Sequence, residues 1–201
     1  MQQKVPYQFR FLALSALLVV LAAPVAVAGQ TVSGQAVVVR ATVSDLTGTT
    51  TTVLSDTGPL IDSNDARQKS QAVGSVPSLV TGGTLHATTI GWPDEVASEA
   101  SIADLALTVA GTAVGAQFAM SRVRTAVGTE AAGSADVSGL SINGLPITVT
   151  GARNQTIAIP GGRVVINEQQ TTSSGTVVNA LHVVVTGVAD VVIASASAGI
   201  R

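Results

Sequence analysis

The chain has 201 residues, no cysteine, 11% charged and 2% aromatic side chains, and a formal net charge of −2. The lack of cysteine excludes a disulfide framework, thiolate metal sites and a cysteine nucleophile, and the near-neutral charge excludes a polycationic surface for nucleic acid or anionic lipid. A hydrophobic fraction of 46% suffices for a packed core in one medium-sized domain.

Lys4 and Arg10 precede an apolar run from Phe11 to Ala23, Pro24 ends the run, and Ala26-Val27-Ala28 stands before Gly29. This is the layout of a secretory signal peptide over residues 1–28, with cleavage expected between Ala28 and Gly29. The apolar run of 13 residues is short of the roughly 20 needed to span a bilayer. The expected product is a single exported domain, residues 29–201, with no membrane segment after cleavage. Tyr7, Phe9 and Phe11 leave with the leader, so Trp92 and Phe118 are the remaining aromatics; eight basic residues then face twelve acidic ones, a net charge of −4. The core of such a domain has to be built from aliphatic and small side chains.

Val, Ile, Thr, Ala, Ser and Gly dominate the rest of the chain. β-Branched residues fit a pleated surface and lose entropy in helices. Gly, Asn, Asp and Pro punctuate the sequence about every 8–12 residues, the spacing of an all-β sandwich or barrel. The prediction is an antiparallel β-sandwich, jelly-roll-like or meander; a β-roll or solenoid is the alternative, although no internal repeat is visible. Strands are expected over Gly34–Val43 and Thr49–Leu54. Strand propensity explains the run Thr49–Thr52, whose hydroxyls also suit a flat ice- or polysaccharide-binding array.

Residues 56–78 lack periodicity and are expected to be an exposed loop. Asp56, Asp62, Asn64 and Asp65 crowd oxygen ligands there, a donor set for calcium. Their spacing departs from the D-x-[DN]-x-[DN]-G pattern, and a solvated turn is the preferred reading. Strand character resumes over Gly83–Trp92, where Trp92, as a lone large side chain, is expected to plug the core. Two long strands follow, Ala97–Ala110 and Val114–Val127. Ala97–Ala106 also admits a helix, but Ala97, Ala103, Leu105, Leu107 and Val109 follow period two, which favours the strand.

The C-terminal third is the most legible part. Asp136–Ile142 and Leu145–Thr150 flank Asn143-Gly144, the residues of a type I′ hairpin turn, and Pro146 places the second strand at an edge or at its start. Thr156–Ile159 and Arg163–Asn167 flank Pro160-Gly161-Gly162. Thr176–Thr186 and Ala189–Ser197 complete an antiparallel meander.

Catalytic motifs are sparse. His86 and His182 stand far apart and outside metal-binding patterns, and no G-x-S-x-G elbow exists. His182 alternates with Val178, Ala180 and Val184, which puts it on a half-exposed sheet face in a structural role. Gly161-Gly162 lacks the Lys-Ser/Thr of a phosphate loop, and Asn154-Gln155-Thr156 is a formal glycosylation sequon. The scarcity of Trp and Tyr argues against sugar-stacking and base-stacking platforms.

Several strings together resemble a known family. They are Ser138-Gly-Leu-Ser-Ile-Asn-Gly-Leu-Pro146, Asn154-Gln-Thr-Ile157, Pro160-Gly-Gly-Arg-Val-Val-Ile-Asn-Glu-Gln169, Asn179-Ala-Leu-His182, Asp190-Val-Val-Ile-Ala194 and Ala198-Gly-Ile200. They resemble the choice-of-anchor P family of exported bacterial proteins, and Asp56-Thr-Gly-Pro-Leu60 is similar to an earlier segment of it. The resemblance implies a secreted or surface protein whose domain is joined to varied C-terminal sorting signals. It brings no catalytic residues; Asn167, Glu168, Asn179 and His182 are motif positions. A sorting segment is missing before Arg201, so release is the simpler expectation.

These readings converge on a non-catalytic secreted or cell-envelope protein without a cofactor, engaged in surface adhesion or self-assembly, with no nucleic-acid partner. A polysaccharide or cell-wall hydrolase and a calcium-stabilised binding module are the alternatives.

Overall fold

The computed structural model describes residues 30–46 and 48–201. The expected signal peptide over residues 1–28 and its cleavage point at Ala28 and Gly29 lie outside the described residues, as does Thr47. Fifteen strands are present among the described residues. The first eight are β1 (Val32–Asp45), β2 (Gly48–Asp56), β3 (Ala66–Gln71), β4 (Gly74–Val76), β5 (Val80–Gly82), β6 (Leu85–Gly91), β7 (Glu95–Val109) and β8 (Thr112–Ala126). The remainder are β9 (Ala132–Ser138), β10 (Ser141–Ile142), β11 (Leu145–Pro146), β12 (Gln155–Ile159), β13 (Gly162–Thr172), β14 (Gly175–Val185) and β15 (Ala189–Ile200).

They form two antiparallel sheets consistent with a β-sandwich and no closed barrel. The six-stranded sheet runs β12-β13-β14-β15-β1-β2. Of the expected C-terminal meander, β12–β15 are present in this sheet, whereas the hairpin at Asn143-Gly144 belongs to the other sheet; the N-terminal hairpin β1–β2 extends β12–β15 through the pairing of β1 with β15, from Val32↔Ile200 to Val43↔Ala189. The nine-stranded sheet is built on the long hairpin β7–β8, with β5 and β6 against β7, and β9 and β10 against β8. The strand reading of Ala97–Ala110 holds as β7.

Two expectations are corrected. Residues 56–78 contain β3, paired with β6 from Ala66↔Ile90 to Gln71↔Leu85, and β4, paired with β5. Periodicity was missing because β3 is an edge strand whose polar sequence is mostly exposed on both faces. Trp92 does not plug the core: it is 40% exposed, and Phe118 is 36% exposed. The interior is aliphatic, with Leu85, Ile102, Leu107, Ile166, Leu181 and Ile193 among the largest fully buried side chains. The Asn143-Gly144 turn is present, with both residues at positive φ, but its arms are only two residues each.

A line of reversed backbone crosses each sheet. Asn167, Ala194 and Ser55 have φ values of 50°, 49° and 48°. They lie in one row with Ala180 and Val38, because Ile166↔Leu181 and Glu168↔Asn179, and the matching pairs on the other strands, bracket that row in unbroken register. A left-handed residue inserted without a register shift flips the alternation of side chains. Along this row consecutive residues both enter the core: Ile193 with the left-handed Ala194, and, without a positive φ in their own strands, Val38 with Val39 and Ala180 with Leu181. In the facing sheet Asp104 (φ 48°), Gln117 and Gly139 (φ 61°) form the corresponding line. There the consecutive pairs point outward, Ala103 with Asp104 and Gln117 with Phe118, which is how Phe118 reaches the surface.

A left-handed conformation costs a residue with a Cβ about 1–2 kcal/mol, less for Asp or Asn. At exposed Asp104, glycine is expected to raise unfolding free energy by about 0.5–1 kcal/mol, and valine to lower it by about 1–2 kcal/mol. Urea denaturation of the two variants against the parent measures both.

Candidate functional site

The reversed line creates the most developed polar cluster of the six-stranded sheet. In uninterrupted period two, Asn179 and His182 would lie on opposite faces. The flip at Ala180 and Leu181 turns both outward, opposite Glu168 of β13, which is also turned outward after Asn167. His182 therefore shares its face with Val184 alone among the residues expected to accompany it; Val178 and Ala180 are in the core.

Asn179 Nδ2 donates to Glu168 Oε2 at 2.6 Å, and His182 Nδ1 lies 2.9 Å from the same oxygen. His182 Nε2 lies 3.0 Å from Asp190 Oδ1. An imidazolium donates to both carboxylates at once, whereas a neutral ring donates to one. The side chains of His182 and Glu168 are only 15% and 14% exposed, while that of Asp190 is 56% exposed. Burial by itself would raise the Glu168 carboxyl. The hydrogen bonds from Asn179 and His182, the charge of the His182 ring and a weaker bond from Gln170 outweigh it, and the carboxyl is held below the ordinary glutamate range.

Three of the four positions singled out in the sequence, Glu168, Asn179 and His182, are thus joined directly. Asn167 faces the other way: its Nδ2 donates to the Gly151 carbonyl and its Oδ1 accepts from Gln169 Nε2, which ties the segment before β12 to the sheet. Asp190 is the member that the sequence reading left out of the site. The tight turn from β14 to β15 pairs Val184 with Asp190 and His182 with Val192. Asp190 is therefore the diagonal neighbour of His182 on one face, a relation that counting back from the Gly187 turn reveals.

The acidic segment does something else. Asp56 Oδ1 accepts from Gln35 Nε2 and the Gly58 amide, Asp62 Oδ1 from the Asn64 amide, and Asp65 Oδ2 from the Ile61 amide and Arg67 Nε. The Ile61 amide and then Arg67 hold the Asp65 carboxyl below its usual range. Asp56, Asp62 and Asp65 serve as local turn and ion-pair acceptors, folding the segment so that Leu60 is buried. Asn64 is exposed. Among the described residues, no group of three or more His, Asp or Glu side chains is placed to hold a metal ion. His86 Nδ1 lies 2.8 Å from Ser70 Oγ across the β3–β6 pair, at an exposed position. Neither histidine of the described residues is hydrogen-bonded to both a serine and a carboxylate.

No family model matches the chain, and no curated protein and no solved structure matches it significantly.

Proposed function

We propose that the chain is a non-catalytic bacterial protein, secreted or held in the cell envelope, of the choice-of-anchor P kind, and that it acts by association of its β-sheets in adhesion or self-assembly. The observation that carries the non-catalytic reading is the closure of the Glu168–Asn179–His182–Asp190 network. Both His182 nitrogens face carboxylates, so the ring has no nitrogen directed at a hydroxyl nucleophile, as a general base requires. The network reads as a clasp joining β13, β14 and β15.

Two measurements test this. Incubation with cell-wall and polysaccharide substrates is expected to release no product, and His182→Ala is expected to lower the melting temperature without changing that result; hydrolysis lost in His182→Ala would establish the hydrolase alternative. Cell fractionation is expected to place the protein in the medium or envelope, and light scattering to show association that grows with concentration. A monomer at every concentration would sink the association half of the proposal.

A further inference from the structure

The two edges of the six-stranded sheet differ. At the β12 edge, the Gln155 side chain behaves as a surrogate peptide: its Oε1 accepts from the Thr150 amide and its Nε2 donates to the Thr148 carbonyl, both at 2.8 Å. Residues 148–150 thereby lie alongside the start of that edge. At the other edge, β2 pairs with β1 alone. Ser44 is paired opposite Thr49, yet its amide donates to the Val188 carbonyl on the far side of β1. Ser44 and Thr49 are therefore a pair without mutual ladder bonds, and by alternation Thr49, Thr51 and Val53 direct their N–H and C=O groups out of the sheet edge.

Natural edge strands are usually blunted by charge, proline or a bulge. From Gly48 to Leu54, β2 carries no charged residue and no proline, and from Thr49 to Leu54 none of its residues has a positive φ. Its outward face continues a row of hydroxyls from β1, with Thr42 Oγ1 and Thr51 Oγ1 3.0 Å apart and Ser44 Oγ and Thr49 Oγ1 3.1 Å apart.

We propose that β2 is the self-association site, pairing antiparallel with β2 of a second copy about a two-fold axis at Thr51; this rests on the self-assembly reading above. The unpaired backbone groups call for an extended strand, and the two-fold relation presents the same edge to itself. In this register Thr51 meets Thr51, Thr49 meets Val53 and Gly48 meets Leu54. Every residue in contact is uncharged, so the like-charge repulsion that normally keeps identical edges apart is missing. The pairing joins two six-stranded sheets into one and extends the hydroxyl row as Thr42–Thr51–Thr51–Thr42 across the axis.

The chain lacks cysteine, so a single introduced thiol can form a disulfide only with another copy. In protein expressed from the full reading frame and oxidised with copper–phenanthroline, Thr51→Cys is expected to give a reductant-sensitive dimer and Ala158→Cys, on β12, none. Thr51→Lys, which sets two charges against each other at the axis, is expected to weaken dimerisation at least tenfold in sedimentation velocity, with an unchanged circular dichroism spectrum. If the parent protein associates but Thr51→Cys does not cross-link and Thr51→Lys does not weaken it, the β2 assignment is overturned and self-assembly stands. A parent that stays monomeric throughout overturns both.

Discussion

Gly162→Ala is expected to cost more stability than any other single-methyl change in the β12–β13 turn, about 3–5 kcal/mol, at the upper end of what point substitutions do. A Cβ on Gly162 would enter the van der Waals shell of the Val184 carbonyl oxygen and come within 2.9 Å of Val185 Cα. Both belong to the β14 backbone, which its own ladder with β15 prevents from retreating. The neighbouring Gly161→Ala provides the internal control. Gly161 has a φ of 70°, and its Cβ would meet nothing closer than Val185 Cγ1 at 3.7 Å. That change costs only the left-handed backbone preference, about 1 kcal/mol. Equilibrium denaturation of the two variants separates close approach from backbone conformation; equal losses would show that the turn, and not the contact with β14, sets the requirement for glycine.

That pair of glycines illustrates what was legible in the sequence. Pro160-Gly161-Gly162 was readable as a turn, because proline at the first and glycine at the second corner position carry their own backbone preferences. The steric role of Gly162 was not readable, since it depends on a strand more than twenty residues away. The same contrast runs through the fold. The β12–β15 meander followed from local alternation and short turns, whereas the pairing of β1 with β15 joins the two ends of the described chain and leaves no local mark. The reversed lines were hidden for a different reason: Ala194 and Ser55 adopt positive φ without being glycine, so no residue type announces them. Asn167, Asp104 and Gly139, residues that tolerate this region, are the members of the lines whose type gives a hint.

The candidate site depends on those hidden lines. The period-two series Ala97, Ala103, Leu105, Leu107 and Val109 fails because Val96, Ser98, Ala100 and Ile102 face inward before Asp104, and Leu105, Leu107 and Val109 after it. In the six-stranded sheet the same flip brings Asn179 and His182 to one face. The motif positions were visible as a string of residues, but their joining into one hydrogen-bonded network required a backbone feature that alternation alone contradicts. It also explains how a sheet with few charges buries a glutamate: Glu168 enters the surface layer with Asn179 and His182 already directed at it.

Glu168→Ala is expected to lower unfolding free energy by about 2–3 kcal/mol at pH 7, because it removes charge-assisted bonds and leaves the largely buried Asn179 amide and one His182 nitrogen without their acceptor. Glu168→Gln keeps one acceptor oxygen for Asn179 and His182 and loses the charge together with the acceptor of the weak Gln170 bond, so about 1–2 kcal/mol is expected. The pH dependence distinguishes this charge effect from packing. The folded-state carboxyl is held below its unfolded value, so the stability it contributes is fully present above the ordinary glutamate range near pH 4.3 and is lost as pH falls through the lower folded-state value. His182 and Asp190 are the ionisable groups bonded within the network, and Glu168→Gln leaves both in place. Because the Glu168 charge also acts on the His182 ring, the diagnostic range is the acid limb: the gap in denaturation free energy between the parent and Glu168→Gln should narrow from its value at about pH 5 as the pH approaches 3. A gap that persists unchanged at pH 3 would mean that Glu168 supports the sheet through shape alone, and that the clasp owes nothing to its charge.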